Sequence, residues 1–494
     1  MNLSNLSDLS NLSMLCDFYE FTMSNAYLKN GFHKKNVCFD MFFRQVPDGG
    51  GFAIAAGLNQ LVDYINQLKF DEGDIAFLRR KNLFDEAFLK YLSSFRFSGD
   101  IYAVPEGTPV FPNEPLVTVR APAIEAQLIE TFLLLAINHS SLIATKANRI
   151  VRAAKGRAVL EFGARRAHGA HAALAGARAA YIGGCHGTSC TLSEKLYGVP
   201  SGGTMAHSWI QMFDSEYDAF ETYCENYPNS ATLLLDTYNT LKSGLPNAIA
   251  AFKKILVPRG ITNFAVRLDS GDLAYLSKEV RRRLDEAGLN SCKIVASNSL
   301  DEYIIGDLIS QGAAIDVFGV GERLITAKSD ATFGGVYKLV AVEGSSGEII
   351  PKIKVSENIS KITTPHFKKA YRYFDKQTGK ALADELCVYD EAVDDTIPRT
   401  IFDPEATWKT KTLTDFTAKP LLMPIFLNGR QVYMPPSIEK TRAYCKTQVD
   451  SLWDEVKRFE NPHTYYVDLS KKLWDIKQQL LNKQTEEKGE NLKI

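Results

Sequence analysis

The chain has 494 residues, 45% of them hydrophobic and 23% charged, the composition of an ordinary soluble globular protein long enough for two domains or one barrel with additions. A formal net charge of −1 supplies no field for non-specific binding to nucleic acid or a membrane surface, so a small molecule is the expected ligand. No stretch reads as the roughly 18–20 consecutive apolar residues of a membrane span, and no basic segment followed by an apolar core marks a secretory signal.

Eight cysteines are scattered along the chain without a C-x-x-C pair, which predicts reduced thiols and a cytoplasmic location. Leucine recurs at positions 3, 6, 9 and 12, a weakly ordered lead-in whose Asn-Leu-Ser triplets match glycosylation acceptors by pattern alone. Asp17-Phe18-Tyr19-Glu20-Phe21-Thr22-Met23 opens a helix that Asn30-Gly31 stops. Residues 37–43 read as a strand, 47–51 as a glycine-rich turn, and 58–68 and 74–91 as helices. Prolines at 105, 109, 112 and 115 confine 100–119 to short strands at edges or bends. Residues 1–140 are thus predicted to form a smaller α+β domain.

Helical periodicity at 123–152 leads into a different regime. From about 157 to 340 one unit recurs: a short apolar strand, a polar or glycine-rich loop, a helix. The strands read as 158–162, 179–183, 233–235, 264–268, 293–296 and 315–318. They run into Gly163-Ala164-Arg165-Arg166, His186-Gly187-Thr188-Ser189, Asp236-Thr237-Tyr238, Asp269-Ser270-Gly271-Asp272, Ser297-Asn298-Ser299 and Gly319-Val320-Gly321. Alternating strands and helices predict parallel β/α units, and their number fits a barrel with its chemistry at the C-terminal strand ends. Beyond 345 come strand-like stretches at 352–354 and 371–374, then helices at 436–459 and 469–482 anchored by Trp453 and Trp474. The predicted fold class is α/β: an irregular (β/α) barrel with a helical C-terminal extension over 141–485, the N-terminal domain before it and a frayed tail at 486–494.

Four stretches carry chemistry. In Gly202-Gly203-Thr204-Met205-Ala206-His207-Ser208 the glycines allow close backbone approach to a ligand, the hydroxyl can donate to an anion, and the imidazole can act as base or nucleophile near neutral pH. We read His207 as an acceptor of a phosphoryl group. Arg165-Arg166 are expected to open an alanine-rich helix over 167–180, where a guanidinium pair and free N–H groups favour anions. In Arg267-Leu268-Asp269-Ser270-Gly271-Asp272, Asp269 is placed to hold Mg²⁺ through water or to grip sugar hydroxyls, while Asp272 suits a helix N-cap. Gly319-Val320-Gly321, with Gly334-Gly335 after it, reads as a phosphate-cradling loop that lacks the Gly-Lys-Ser/Thr of a Walker loop. Asp236 ends its strand as the candidate partner of His207, with a helix cap as its alternative role.

Taken in order over residues 15–360, Asp17-Phe18-Tyr19, Phe162-Gly163-Ala164-Arg165-Arg166-Ala167, Gly187-Thr188-Ser189, Gly203 to Ser208, Arg267 to Asp272 and Phe318-Gly319-Val320-Gly321 resemble the nicotinate phosphoribosyltransferases, of the type II phosphoribosyltransferase family. The likeness thins in the C-terminal part, where Tyr466-Val467-Asp468-Leu469-Ser470 carries most of it. The resemblance implies transfer of a phosphoribosyl group from 5-phosphoribosyl 1-diphosphate to nicotinate in NAD salvage. It also implies an irregular barrel with a hammerhead-like N-terminal α+β domain, ATP as co-substrate, Mg²⁺, and a homodimer with shared active sites, but no nucleic-acid or membrane partner. By motif, His207 matches a phosphohistidine, and Tyr19, arriving from the other subunit, and Phe162 match an aromatic pair that sandwiches the pyridine ring. Thr204 and Arg267 match nicotinate contacts, and Arg165 with the Gly319 to Gly321 loop matches phosphate or nicotinate-side contacts. Ser189 stands where the related nicotinamide phosphoribosyltransferases carry an aspartate; its neutrality favours the acid as substrate, with the amide as the alternative. Glu322 departs from the threonine of many relatives. Either backbone N–H groups alone hold a phosphate there, or Glu322 turns away toward Arg323 or Lys328.

Overall fold

The computed structural model describes residues 11–358 and 361–491, so most of the leucine-periodic lead-in lies outside the described residues. The chain forms two compact units, one of residues 1–141, 332–437 and 443–494, the other of residues 142–331 and 438–442. Everything after Ala331 except one short segment therefore groups with the N-terminal residues, where the sequence suggests a single domain from 141 to 485.

The first unit is built on a seven-stranded antiparallel sheet in the order Ile349–Pro351, Val336–Glu343, Asn36–Phe42, Val117–Pro122, Asp100–Ala103, Met423–Leu427, Arg430–Gln431. Its first helix, Phe18–Lys29, ends at Asn30, and Gly31 takes the left-handed φ of 77° that favours glycine. The helix expected over 74–91 is two helices, Glu72–Arg80 and Glu86–Ser93. Asp71 and Asp74 close a capping box at the start of the first, and Asn82 breaks the run at φ 52°. The expected helical C-terminal extension is largely β. A four-stranded sheet runs Phe416–Pro420, Lys368–Asp375, Ala381–Val388, Val467–Leu469, and among the described residues α-helices return at Ile438–Asp450 and Lys471–Asn491. The last of these runs into the stretch expected as a frayed tail, and Trp453 lies beyond the helix it was expected to anchor. Residues 352–354 follow a strand rather than forming one.

The second unit is a six-stranded parallel sheet in the order Gly187–Thr188, Ala158–Glu161, Val317–Val320, Lys293–Ser297, Ala265–Leu268, Thr232–Leu234. Helices such as Ala170–Ile182, Leu273–Glu286 and Glu302–Ser310 connect the strands, as parallel pairing requires. The first long strand pairs with the last, and Thr188 bridges to Ser201 in parallel. The closed barrel expected from the sequence is seen here as this parallel sheet. The strand expected at 179–183 is the last turns of the Ala170–Ile182 helix, whose alanines favour helix, and the strand proper is the two residues Gly187–Thr188. Among the described residues one helical stretch, Ala123–Ala153, is long and apolar enough to cross a membrane by length and composition, contrary to the sequence reading, but 67% of its apolar window is buried, as in a core helix.

Candidate active site

Because all six strands of the second unit run parallel, their C-terminal ends share one edge; Thr188, Glu161, Ser297, Asp269 and Asp236 stand at or just past five of those ends, while Val317–Val320 runs into Gly321. Arg267, in the strand Ala265–Leu268, is the hub. Its Nη1 donates to Thr204 Oγ1 at 2.9 Å, its Nη2 to Asp269 Oδ1 at 2.9 Å, and its Nε to Ser297 Oγ at 2.8 Å. The Ser297 hydroxyl in turn donates to the same Asp269 oxygen. Three acceptors in three directions match a planar guanidinium and no other side chain. The Arg267 Cζ also lies 5.8 Å from the centroid of the Phe162 ring.

His207 begins the short helix His207–Gln211 with its side chain 42% exposed. Its Nδ1 shares a hydrogen bond with Thr237 Oγ1 at 3.1 Å, and its Nε2 faces Asp269 Oδ2 at 3.9 Å. Asp236, expected as its partner, turns instead to the Asp269 N–H at 3.1 Å and the Ser270 hydroxyl at 2.5 Å. The two acids end neighbouring parallel strands, and it is Asp269, already held by Arg267 and Ser297, whose second oxygen meets the imidazole. Asp269 thereby joins the histidine to the arginine.

Phe162 and the glycine loop form a wall. The Phe162 N–H donates to Val320 O at 2.8 Å. A Cβ on Gly319 would stand 2.5 Å from Phe162 Cδ2 and Cε2, and a Cβ on Gly163 would stand 2.7 Å from Gly321 O. These glycines let ring and backbones pack face to face. Gly334 and Gly335 do not continue this loop: they belong to the first unit, where a Cβ on Gly335 would overlap Asn138 and Met41. Gly202 and Gly203 are exposed, and a Cβ on either would touch nothing in the chain. Arg165 and Arg166 lie exposed in the turn Ala164–Arg166, ahead of the helix rather than in its first turn, because Gly169 at φ 109° starts that helix at Ala170. Asp272 caps the next helix through the Tyr275 N–H at 2.9 Å. Glu322 pairs with Lys328 at 2.8 Å, which holds its carboxyl below the usual range, while Arg323 pairs with Asp301. Tyr19 lies in the first unit, exposed, its phenol against Glu130. Ser189 is exposed just past its strand, its N–H donating to Glu161 O at 2.8 Å.

The residues missed from sequence are Thr237, Ser297, Thr188 and Glu161. The last is 0% exposed, an acid at the end of an otherwise apolar strand, and burial pushes its carboxyl up. That one acid among apolar neighbours is the signal that could have found it.

A parallel sheet whose C-terminal edge gathers an arginine, a carboxylate and an imidazole beside an aromatic wall is built as the active site of an α/β enzyme. Family models agree. Residues 14–138 match the nicotinate phosphoribosyltransferase N-terminal domain, 158–387 the nicotinate phosphoribosyltransferase family, and 367–477 its C-terminal domain. The chain is 42% identical over 470 residues to the nicotinate phosphoribosyltransferase of Bacillus subtilis, covering 95% of both. It is 40% identical over 463 residues to nicotinate phosphoribosyltransferase pncB2 of Mycobacterium tuberculosis, covering 93% of this chain and 92% of that one. The crystal structure of human nicotinic acid phosphoribosyltransferase superposes with a TM-score of 0.83 at 30% identity, covering 94% of this chain and 99% of that one. The chain belongs to the nicotinate phosphoribosyltransferase family.

One substitution tests the wall directly. Gly319→Ala puts a methyl into the Phe162 ring, so the ring must swing. Steady-state turnover is expected to fall about tenfold or more, with a loss of about 1–3 kcal/mol of stability, because this glycine is buried in an interior strand of the sheet.

Proposed function

We propose that this enzyme transfers the 5-phosphoribosyl group of 5-phosphoribosyl 1-diphosphate to nicotinate, giving nicotinate mononucleotide and diphosphate, with ATP hydrolysis coupled through a phosphohistidine at His207. The observation that carries this reading is the continuous array Thr204, Arg267, Asp269, His207, in which one carboxylate is shared by a cation suited to a carboxylate ligand and an imidazole suited to phosphoryl transfer.

The pyridine nitrogen carries no proton at neutral pH, so attack on the anomeric carbon requires no general base. The protein must hold the ring, orient it and balance charge as diphosphate departs. Phe162 offers a ring face, worth roughly 0.5–1.5 kcal/mol beyond burial for a good aromatic pair, with Tyr19 supplied across a homodimer interface as the second face. Arg267 grips the nicotinate carboxylate from behind Thr204. His207 stands free of acid–base work, and its nitrogen can attack the terminal phosphorus of ATP, forming the N–P bond as the bond to ADP breaks. Later hydrolysis of that N–P bond returns the imidazole and releases phosphate.

Asp236 fits a role in holding Mg²⁺. One of its carboxylate oxygens is buried without a hydrogen-bond partner, while the other is occupied by the Asp269 N–H and Ser270. Among the described residues no three His, Cys, Asp or Glu gather as a cage, so such an ion would take most of its oxygens from substrate and water. When bound it would neutralise charge on the diphosphate. The same reading places the enzyme in the cytoplasm, its eight cysteines as thiols.

The test is substrate choice. Nicotinate, and not nicotinamide, is expected to drive diphosphate release in the presence of 5-phosphoribosyl 1-diphosphate, ATP and Mg²⁺; equal use of the amide would sink the reading. Ser189→Asp sharpens it. Two like charges about 4 Å apart at an effective dielectric near 20 repel by about 4 kcal/mol, so nicotinate kcat/KM is expected to fall by up to about a thousandfold. Unchanged nicotinate kinetics in that variant would remove Ser189 from the site.

A further inference from the structure

Glu161 is buried completely at the end of the strand Ala158–Glu161, yet it touches no cation among the hydrogen bonds and ion pairs of the described residues. Its carboxylate instead accepts from two loops. The Gly163 N–H, one residue past Phe162, donates to Oε1. The Thr188 hydroxyl, one residue before Ser189, donates to Oε2 at 2.6 Å. Its backbone carbonyl accepts from the Ser189 N–H at 2.8 Å. Thr188 is itself 0% exposed and its Oγ1 accepts from the Cys190 N–H at 3.0 Å, so the hydroxyl is fixed from both sides. Its backbone N–H donates to Pro200 O at 2.9 Å, and its carbonyl accepts from the Gly202 N–H at 2.9 Å, tying it to the segment that leads to Thr204 and His207.

A buried carboxylate is an expensive way to fill space, and an apolar side chain of the same volume would cost the fold less. A carboxylate is, however, the group that can accept short bonds from two separate loops at once. The two loops it joins carry the aromatic wall, Phe162, and the neutral hydroxyl of Ser189. We infer that Glu161, acting through Thr188, is a positioning residue that fixes the gap between the Phe162 ring and the Ser189 side chain, and so sets which pyridine 3-substituent the site accepts. This rests on the reading that Phe162 and Ser189 border the nicotinate ring. Loss of the carboxylate frees the Thr188 hydroxyl and lets the serine loop drift from the ring.

The experiment compares wild type, Thr188→Val, Glu161→Gln and Glu161→Ala in the full-length enzyme, with kcat and KM for nicotinate, nicotinamide and 5-phosphoribosyl 1-diphosphate. Thr188→Val keeps the shape and removes one arm of the clamp. It is expected to raise the KM for nicotinate about tenfold and to lower the nicotinate-to-nicotinamide ratio of kcat/KM by a similar factor, the effect of one lost bond to a buried charge. The KM for 5-phosphoribosyl 1-diphosphate is expected to stay within about twofold, which a general loosening of the fold would not spare. Glu161→Gln can still accept from Gly163 and can donate to Thr188 Oγ1, so it is expected to keep the ratio within about threefold of wild type, whereas Glu161→Ala loses it. A wild-type ratio in Thr188→Val, with wild-type enzyme preferring nicotinate, overturns the clamp alone, even if Glu161→Ala fails to fold. Wild-type enzyme that shows no preference for nicotinate overturns the clamp and the functional reading together.

Discussion

Arg267→Ala is expected to lower kcat/KM for nicotinate by roughly two to three orders of magnitude, as expected for truncating one partner of a largely buried, hydrogen-bonded charge pair. The side chain is only 14% exposed and supplies a donor to each of Thr204, Asp269 and Ser297. Its removal leaves the Asp269 carboxylate with the Ser297 hydroxyl and the half-exposed imidazole as its remaining partners, and it removes the cation proposed to meet the substrate carboxylate. Arg267→Lys should recover little, because one ammonium cannot reach three acceptors that lie in the plane of a guanidinium. The distinguishing measurement is nicotinate binding by calorimetry alongside turnover. A variant that binds nicotinate normally and loses only kcat would place Arg267 at the leaving group instead.

His207→Ala is expected to abolish incorporation of acid-labile phosphate from ATP and, with it, the stimulation of turnover by ATP, while leaving a residual ATP-independent transfer. The structural cost should be small. The imidazole is 42% exposed and makes one hydrogen bond, to Thr237, so stability should change by no more than about 1 kcal/mol. Retention of full ATP-stimulated turnover would remove the phosphohistidine from the mechanism. Thr237→Val makes a milder companion: it frees Nδ1 and should slow phosphate incorporation without eliminating it.

Which of these residues could be found from the chain alone follows from where they sit. Asp269 stands immediately after an apolar run, Gly319 near the end of another and Thr204 directly after a glycine pair, local changes of character that are visible in one dimension. Contacts are another matter. His207 meets Thr237 across 30 positions and Arg267 meets Thr204 across 63, and such meetings depend on strand order and register. Asp236 and Asp269 end adjacent parallel strands and look equivalent in sequence; only the register decides which one the imidazole faces. The mistaken strand at 179–183 has a different cause, since a short apolar run does not by its pattern separate a buried strand from the buried end of a helix. The C-terminal half of the first unit was the least legible part. Its sheet is assembled from pairings such as Asp384 with Val467, whose partners lie too far apart for any local pattern to connect.

The strand Asn36–Phe42 lies between Val117–Pro122 and Val336–Glu343 in the antiparallel sheet. A chain emerging from the ribosome therefore presents one flank of that strand as soon as residue 122 appears, but the other flank waits for more than two hundred further residues, among them all six strands of the parallel sheet. The central unit is nearly contiguous and can finish folding during translation, while its host must keep an open, apolar β-edge covered until the final third of the message has been read. Nascent-chain release before that point, by truncation or stalling, should yield a well-formed catalytic core attached to an aggregation-prone fragment.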